Sequence, residues 1–306
     1  MKRHTLWVAL LGISACSTVP ADRPEGPLAS PGRRECDAGV PAARSSRFDF
    51  VSKVNGLPYR VMVSTPAKWD RRKAYPVLYV LDGNENFGTA TDIMARHDRL
   101  ELSAPTIIVG VGYPTDDPGE FNRRRWRDLT ISPSKDPKQA GMFGGADAFI
   151  RVLNEEVRPL VEANFRLDPE RQGIWGYSYG GLTVLRILFR DPRAFATYIA
   201  ASPSIWWGNR EILGDEEAFA RRAREGKVNA RLLITSASDE QYRGNDPRRV
   251  AADGARMVDN ATELARRLQP LDPKKLAVTR VVFEGEVHAS VPPAALSRGI
   301  RFASPR

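Results

Sequence analysis

Apolar runs rich in β-branched and aromatic residues recur along the chain and alternate with segments of helical periodicity. Six of these runs predict strands, over residues 76–81, 106–111, 172–175, 196–200, 232–235 and 277–283. Strands that are apolar on both faces and separated by helices are typical of a mostly parallel sheet. The pattern therefore predicts an α/β fold, with helices covering both faces of one central sheet.

The same pattern predicts a hairpin and two prominent helices. Residues 47–52 and 59–65 flank Asn55-Gly56, a dipeptide that favours a tight turn, so they predict an antiparallel hairpin at the sheet edge. Residues 146–165 place their apolar side chains on one face, and Pro159 is expected to bend this helix. Residues 253–268 repeat apolar side chains at helical spacing.

The first sixteen residues resemble the export signal of a bacterial lipoprotein. Lys2 and Arg3 precede a nine-residue, largely apolar core over 5–13. This core is too short to span about 30 Å of hydrocarbon as a helix. Ile13-Ser14-Ala15-Cys16 resembles a lipobox, which implies a lipid on Cys16 and anchoring in the bacterial cell envelope. Ser17 rather than Asp follows the cysteine, which implies the outer membrane, facing the periplasm. The alternative is a plain secretory signal with an incidental cysteine.

The sequence predicts that the chain has three parts. Residues 1–15 are the predicted signal peptide, and residues 16–46, rich in Pro, Ala, Gly, Ser and Arg, are a predicted flexible tether. Cys36 lies in this tether and has no intrachain partner once Cys16 carries lipid. Residues 47–306 are the predicted catalytic domain, since a chain of 306 residues with 42% hydrophobic content can bury one large core.

The chain carries a formal charge of +9, which becomes +7 when Lys2 and Arg3 are removed with the signal (9 minus 2). Its densest cationic cluster surrounds Trp126 and consists of Arg123, Arg124, Arg125 and Arg127. The cluster follows a predicted strand, on a connection that borders the active site in α/β sheets, so it favours an anionic ligand. The alternative is a solvated charge run. Nucleic-acid binding is disfavoured, because the export signal removes the protein from that partner and no binding motif is present.

Gly176-Tyr177-Ser178-Tyr179-Gly180 carries the clearest chemistry in the sequence. A predicted buried strand precedes it, and an amphipathic segment follows it up to Asp191-Pro192. A serine hydroxyl is a poor nucleophile unless the fold exposes it beside a base and beside donors for an oxyanion, and a tight strand-to-helix turn meets these needs. We therefore interpret the segment as a nucleophile elbow, with Ser178 as the nucleophile.

The base and the acid are expected downstream, because α/β-hydrolase triads run in the order Ser, Asp or Glu, His along the chain. Of the three histidines, His4 lies in the signal and His97 precedes the serine, which leaves His288 as the base. The acid should follow the strand over 231–235, where Asp239 and Glu240 are adjacent. Only one of two successive side chains is expected to reach His288, and the residues alone leave both open.

From about Phe48 to the C-terminus, the chain resembles the α/β-hydrolase esterases that include ferric catecholate siderophore trilactone esterases. More distantly it is similar to S-formylglutathione hydrolases, feruloyl esterases and mycolyltransferases. The resemblance rests on the elbow and on four further blocks, at residues 76–83, 145–149, 201–207 and 292–302. It implies an α/β-hydrolase fold without a large cap domain.

The resemblance also implies roles for individual residues. The acid of relatives is the fourth residue of a Gly-x-x-Glu pattern, which selects Glu240 over Asp239, although Ala237 replaces the usual glycine. The backbone N–H groups of Asn84 and Tyr179 are the implied oxyanion donors. Tyr177 stands where relatives usually have His, and Val287 and Ala289 replace the Asp and Gly that often flank the base. The pair Trp206 and Trp207 resembles one near the substrate cleft, with core packing as the alternative.

These observations predict a serine carboxylic-ester hydrolase that acts through an acyl-enzyme and needs no metal or organic cofactor. The expected substrate is a small-molecule ester, and a ferric siderophore lactone suits the arginine cluster. Two alternatives are an acyltransferase of the same fold, and a ligand-binding lipoprotein that has lost turnover.

Overall fold

The computed structural model describes residues 44–241 and 254–306. One eight-stranded sheet forms its centre, in the order β1-β2-β4-β3-β5-β6-β7-β8. The strands are β1 Ser45–Val51, β2 Pro58–Ser64, β3 Tyr75–Val80, β4 Ile107–Gly112, β5 Leu167–Tyr177, β6 Thr197–Ala201, β7 Ala230–Ala237 and β8 Leu276–Phe283. Pairing is antiparallel for β1 with β2 and for β2 with β4, and parallel for the other five pairs. The predicted mostly parallel sheet and its edge hairpin are therefore confirmed.

Eight helices connect these strands in the described ranges. They are α1 Gly83–Arg99, α2 Pro118–Leu129, α3 Ala146–Val152, α4 Arg158–Asn164, α5 Tyr179–Arg190, α6 Leu213–Arg224, α7 Met257–Leu268 and α8 Pro292–Ala303. One-turn 3₁₀ segments and a short helical turn at Trp207–Arg210 complete the connections. No large cap domain is inserted within residues 44–241 or 254–306. None of the helices described is long and apolar enough to cross a membrane.

Alternate side chains of the central strands enter two separate cores, one on each face of the sheet. Leu78 and Val80 of β3 pack with apolar residues of α1 and α8, such as Phe87 and Leu296. Tyr79 faces the opposite side, where the larger core includes apolar residues of α2 to α7. Both faces are buried, so the strands are apolar throughout, which explains why they could be recognised from sequence.

The predicted helix over 146–165 is interrupted just before Pro159. A π-helical turn occupies Leu153–Val157 between α3 and α4. Proline lacks an N–H and its ring collides with the carbonyl one turn earlier, so the chain widens before the proline and resumes the α-helix at Arg158.

Two other boundaries differ from the prediction. Strand β5 begins at Leu167 rather than 172. The prediction missed its first residues because they are mostly polar and partly exposed, and so lack a continuous apolar run. Helix α7 begins at Met257, since Arg256 adopts a left-handed conformation at its N-cap. The predicted signal peptide, nearly all of the predicted tether, Cys16 and Cys36 lie outside the described residues, as does Asp253.

Candidate active site

The elbow predicted from the sequence is a sharp turn between β5 and α5. Ser178 joins the two elements with φ 59° and ψ −116°, a strained conformation for a residue with a side chain. A Cβ atom on Gly176 would lie 2.3 Å from the carbonyl oxygen of Gly180, and one on Gly181 would lie 2.9 Å from that of Ala201. The glycines thus allow strand and helix to approach closely enough for this turn, as expected.

The imidazole of His288 lies between Ser178 and Glu240. Its Nε2 is 3.1 Å from Ser178 Oγ, and its Nδ1 is 2.7 Å from Glu240 Oε1. The other carboxylate oxygen of Glu240 accepts a hydrogen bond of 3.1 Å from the Ala237 N–H, and the Glu240 side chain is fully buried. These contacts join three distant parts of the chain in one hydrogen-bonded series. The carboxylate orients the ring so that Nε2 faces the serine hydroxyl.

Asp239 makes different contacts, which separates the two carboxylates that the sequence left open. Its Oδ1 accepts a bond of 2.9 Å from Ser238 Oγ, and its backbone N–H donates to Glu286 O at 3.0 Å. A single 3₁₀ turn over Ser238–Glu240 directs Glu240 inward and leaves Asp239 at the partly exposed surface. Glu240 is therefore the carboxylate in contact with His288.

A half-buried arginine lies close to this carboxylate. Arg280 of β8 donates hydrogen bonds to Ser236 Oγ and to the Val281 carbonyl. Burial lowers the pKa of Arg280 to about 10, and the negative charge of Glu240 opposes that shift. Arg280 therefore remains a cation at neutral pH, near the Glu240 carboxylate.

The predicted oxyanion donors lie in the first turns of two neighbouring helices. Asn84 is the second residue of α1 and Tyr179 the first of α5, and N–H groups at these positions have no partner within their helix. The Asn84 side chain fixes the loop after β4, since its Oδ1 accepts from Tyr113 N at 2.8 Å and its Nδ2 donates to Tyr113 O at 2.9 Å. Both N–H groups are thus available at helix N-termini, where negative charge is favoured.

Comparisons with known proteins agree with this geometry. The model of the Esterase family matches residues 52–272. The chain belongs to the Esterase family. It is 35% identical to the ferri-bacillibactin esterase BesA of Bacillus subtilis, over 82% of this chain and 86% of that protein. It is also 34% identical to the siderophore triacetylfusarinine C esterase of Aspergillus fumigatus, over 85% and 93%.

A solved structure shows the same architecture. The BES protein from Bacillus cereus superposes with a TM-score of 0.76 at 34% identity, covering 87% of this chain and 98% of that one. The fold prediction, an α/β hydrolase without a large cap, is confirmed. The protein is a serine carboxylic-ester hydrolase, as the sequence predicted.

The four arginines around Trp126 are not equivalent in this esterase. Arg124 forms an ion pair of 3.6 Å with Asp128, donates to Pro58 O at 3.0 Å, and lies over the ring of Tyr113. Its guanidinium is therefore engaged within the protein. Arg123 is exposed and Arg127 half-buried, and neither forms an ion pair with a described residue.

Arg125 is also engaged internally, and it connects the two loops that supply the oxyanion donors. Its Nε lies 3.0 Å from Asp82 Oδ2, two residues before Asn84, and its Nη2 donates to Tyr177 O at 3.3 Å, one residue before Ser178. Burial raises the pKa of the Asp82 carboxyl, and the Arg125 guanidinium opposes that rise. Arg125 thus holds the start of α1 against the elbow.

Five half-buried aromatic residues form a continuous surface beside the elbow, which we call the aromatic surface: Trp126, Phe143, Tyr179, Trp206 and Trp207. Trp207 contacts Phe143 at 4.9 Å and Tyr179 at 5.2 Å between ring centroids, and its Nε1 donates to Ser132 O at 3.2 Å. Trp207 also packs against the larger core, which agrees with the core-packing alternative. A substrate cleft beside Trp206 and Trp207 stays a prediction.

His97 lies away from this site, as its position before the serine suggested. It is buried between α1 and α8, with Nδ1 at 3.2 Å from Ser103 Oγ and Nε2 at 3.3 Å from Ser297 Oγ. Burial lowers its pKa, which favours the neutral ring. His97 is thus a hydrogen-bonded core residue. Within residues 44–241 and 254–306, no group of three or more His, Cys, Asp or Glu side chains is arranged to hold a metal ion.

Sequence reasoning assigned no role to several residues that border the site. Ser204 Oγ lies 3.3 Å from Ser178 Oγ, and Arg280 and Asp82 contribute the charges described above. Ser204 belongs to the block over 201–207 that carries the family resemblance, so this block could have indicated that Ser204 lies near the site. No feature of the sequence indicated the roles of Arg280 and Asp82, because the effect of their charges depends on partners that are distant in sequence.

Proposed function

We propose that this esterase hydrolyses ester bonds of siderophores through an acyl-enzyme on Ser178. The observation that carries the proposal is the hydrogen-bonded series Ser178, His288 and Glu240 at the carboxyl ends of parallel strands. The names of two relatives, the ferri-bacillibactin esterase BesA and the siderophore triacetylfusarinine C esterase, support siderophores as the substrate class.

In the proposed first step, His288 Nε2 takes the Ser178 proton as Oγ attacks the ester carbonyl carbon. The N–H groups of Tyr179 and Asn84 stabilise the negative charge that forms on the carbonyl oxygen. The tetrahedral intermediate then expels the alcohol, to which His288 returns the proton, and Ser178 is left acylated. Glu240 stays ionised and stabilises the imidazolium.

In the second step, His288 takes a proton from water, and the resulting hydroxide attacks the acyl carbon. Collapse of the second intermediate breaks the bond to Oγ, returns the proton to Ser178 and releases the acid. The two half-reactions use the same donors and the same base, so one arrangement of side chains serves both.

For the substrate, we propose a ferric catecholate lactone, in which the iron belongs to the substrate. Catecholate rings are flat and anionic, which suits the aromatic surface together with Arg123 and Arg127, neither of which forms an ion pair with a described residue. Arg124 and Arg125 have a structural role in this proposal, because their charges already have partners.

The substrate proposal is tested by comparing a ferric tris-catecholate trilactone with p-nitrophenyl butyrate. We expect kcat/KM to be roughly tenfold or more higher for the lactone. Replacing Arg123 and Arg127 by Gln should lower it about three- to tenfold for the lactone alone, since each partly solvated charge contributes modestly. The control is Arg71→Gln with Arg72→Gln, which removes equal charge from the segment before β3. This segment lies at the amino end of β3, whereas the Ser178 site lies at the carboxyl ends of the parallel strands. Equal rates on both esters, unaffected by the Arg123 and Arg127 changes, would contradict the proposal.

We further propose that Cys16 is lipidated after removal of residues 1–15, which anchors the esterase in the bacterial outer membrane facing the periplasm. The support is the sequence pattern of residues 1–17. We expect the full chain to incorporate radiolabelled palmitate and to sediment with membranes. The Cys16→Ser variant should lose the label, whereas Cys36→Ser should keep it. Equal labelling of the Cys16→Ser and Cys36→Ser variants would contradict lipidation at Cys16.

A further inference from the structure

Tyr177 makes two separate contacts with His288, although the residues are 111 positions apart in the chain. Its hydroxyl donates a hydrogen bond to the backbone carbonyl of His288. Its ring centroid lies 4.8 Å from that of the imidazole, with 34° between the ring planes. One side chain therefore holds both the backbone and the ring of the histidine that faces Ser178.

The rest of the His288 loop is held from other directions. Gly285 N–H donates to Ser238 Oγ at 2.9 Å, and the Glu286 carbonyl accepts from Asp239 N–H at 3.0 Å. Both contacts fix the start of the loop to the end of β7. The side chain of His288 is 42% exposed, so packing alone holds it weakly. Tyr177 supplies the connection from His288 to β5, the strand that carries Ser178.

Space beside Tyr177 makes this contact important for the position of the imidazole. Tyr177 and Ala289 line an open cleft of about 370 Å³ between α1 and α8, together with Glu85, Pro292 and Leu296. A shorter side chain at position 177 would extend the cleft up to His288. The imidazole could then turn toward the cleft, away from Ser178 Oγ, which lies 3.1 Å from Nε2.

From these contacts we infer that Tyr177 is a positioning residue for His288, which couples the strand of the nucleophile to the loop of the base. The inference rests on the proposed function, since it requires His288 to act on Ser178. Proton transfer falls off steeply when the base leaves hydrogen-bond range, so a small displacement should slow the reaction without weakening substrate binding.

The inference is tested with Tyr177→Phe, which removes the hydroxyl and keeps the ring, and Tyr177→Leu, which removes both contacts. On p-nitrophenyl butyrate we expect kcat to fall about fivefold in the first variant, as for loss of one hydrogen bond, and roughly thirtyfold or more in the second. KM should stay within about twofold of the unsubstituted enzyme. The rate at which a fluorophosphonate labels Ser178 should fall in parallel with kcat.

Tyr75→Phe is the matched control, because this buried tyrosine also donates its hydroxyl to a backbone carbonyl, that of Lys68, but lies at the start of β3. It should leave kcat unchanged. The inference is overturned if both Tyr177 variants keep kcat and the labelling rate, or if only KM rises. Should Tyr177→Leu fail to fold, the Tyr177→Phe variant decides. Full activity in Tyr177→Leu beside an inactive Ser178→Ala would refute this inference alone, whereas activity in Ser178→Ala would refute the proposed function.

Discussion

Replacing Ser178 by Ala should lower ester turnover by on the order of 10⁴-fold or more, while substrate binding is largely kept. The substitution removes the oxygen that His288 Nε2 contacts at 3.1 Å, and with it the covalent intermediate. Residual hydrolysis would come from the N–H groups of Asn84 and Tyr179, which still stabilise an oxyanion formed by direct attack of water. Steady-state kinetics on p-nitrophenyl butyrate measures this loss, and labelling by a fluorophosphonate should disappear with it.

Ser202 offers a matched control for this experiment. It is also a buried serine with positive φ, one residue beyond the end of β6, and its hydroxyl has no hydrogen-bond partner among the described residues. The Ser202→Ala variant should keep turnover and labelling, since it removes no hydrogen bond to a described residue. Near-normal turnover in Ser178→Ala, or loss of turnover to the same degree in Ser202→Ala, would remove Ser178 from the proposed mechanism.

The elbow could be predicted because its determinants are local. A buried strand, close-packing glycines and an amphipathic helix are all encoded within about twenty residues, and the structure places Ser178 in the strained turn that they require. The contact of His288 with Ser178 could also be anticipated, because the order of residues and the parallel sheet bring successive strand ends to one edge. The identity of the contacting carboxylate depended on one 3₁₀ turn over Ser238–Glu240, which the residues alone do not specify.

The arginine cluster shows why charge in a sequence does not define a binding surface. Helix periodicity places neighbouring residues on different faces, so Arg124 and Arg125 point toward Asp128 and Asp82 while Arg123 faces solvent. The partners of Arg125 could not be inferred from the sequence, because Asp82 and the Tyr177 carbonyl are 43 and 52 positions away from it. The predicted anion-binding cluster thus contains two arginines in structural ion pairs and two, Arg123 and Arg127, that form no ion pair with a described residue.

These internal contacts extend the site beyond the three aligned side chains. Arg125 joins the start of α1 to the elbow, and Tyr177 joins the elbow to the His288 loop. Arg280 places a cation near the Glu240 carboxylate. Each of these contacts fixes one group that must stay within hydrogen-bond range during the reaction. The groups are ordered when the protein folds, so substrate binding does not have to supply the free energy for ordering them.

Replacing Glu240 by Gln should lower kcat by roughly 10²- to 10⁴-fold, because the amide selects the wrong tautomer of His288. The Ala237 N–H donates to Glu240 Oε2 at 3.1 Å, so the amide oxygen of a glutamine would face Ala237. Its NH₂ group would then face His288 Nδ1, which would have to accept a hydrogen bond and give up its proton. The proton would reside on Nε2, where it prevents His288 from accepting the proton of Ser178. The kcat of the variant on p-nitrophenyl butyrate measures the loss.

Asp239→Asn is the control for this tautomer argument, because it makes the same chemical change one residue earlier in the chain. Its side chain contacts Ser238 rather than His288, and its backbone bond to Glu286 survives the substitution. We expect its kcat to stay within about threefold of the unsubstituted enzyme, as for a surface change. A larger loss in Asp239→Asn than in Glu240→Gln would assign the acid to Asp239. Equal and small losses in both variants would mean that His288 keeps its tautomer without a carboxylate.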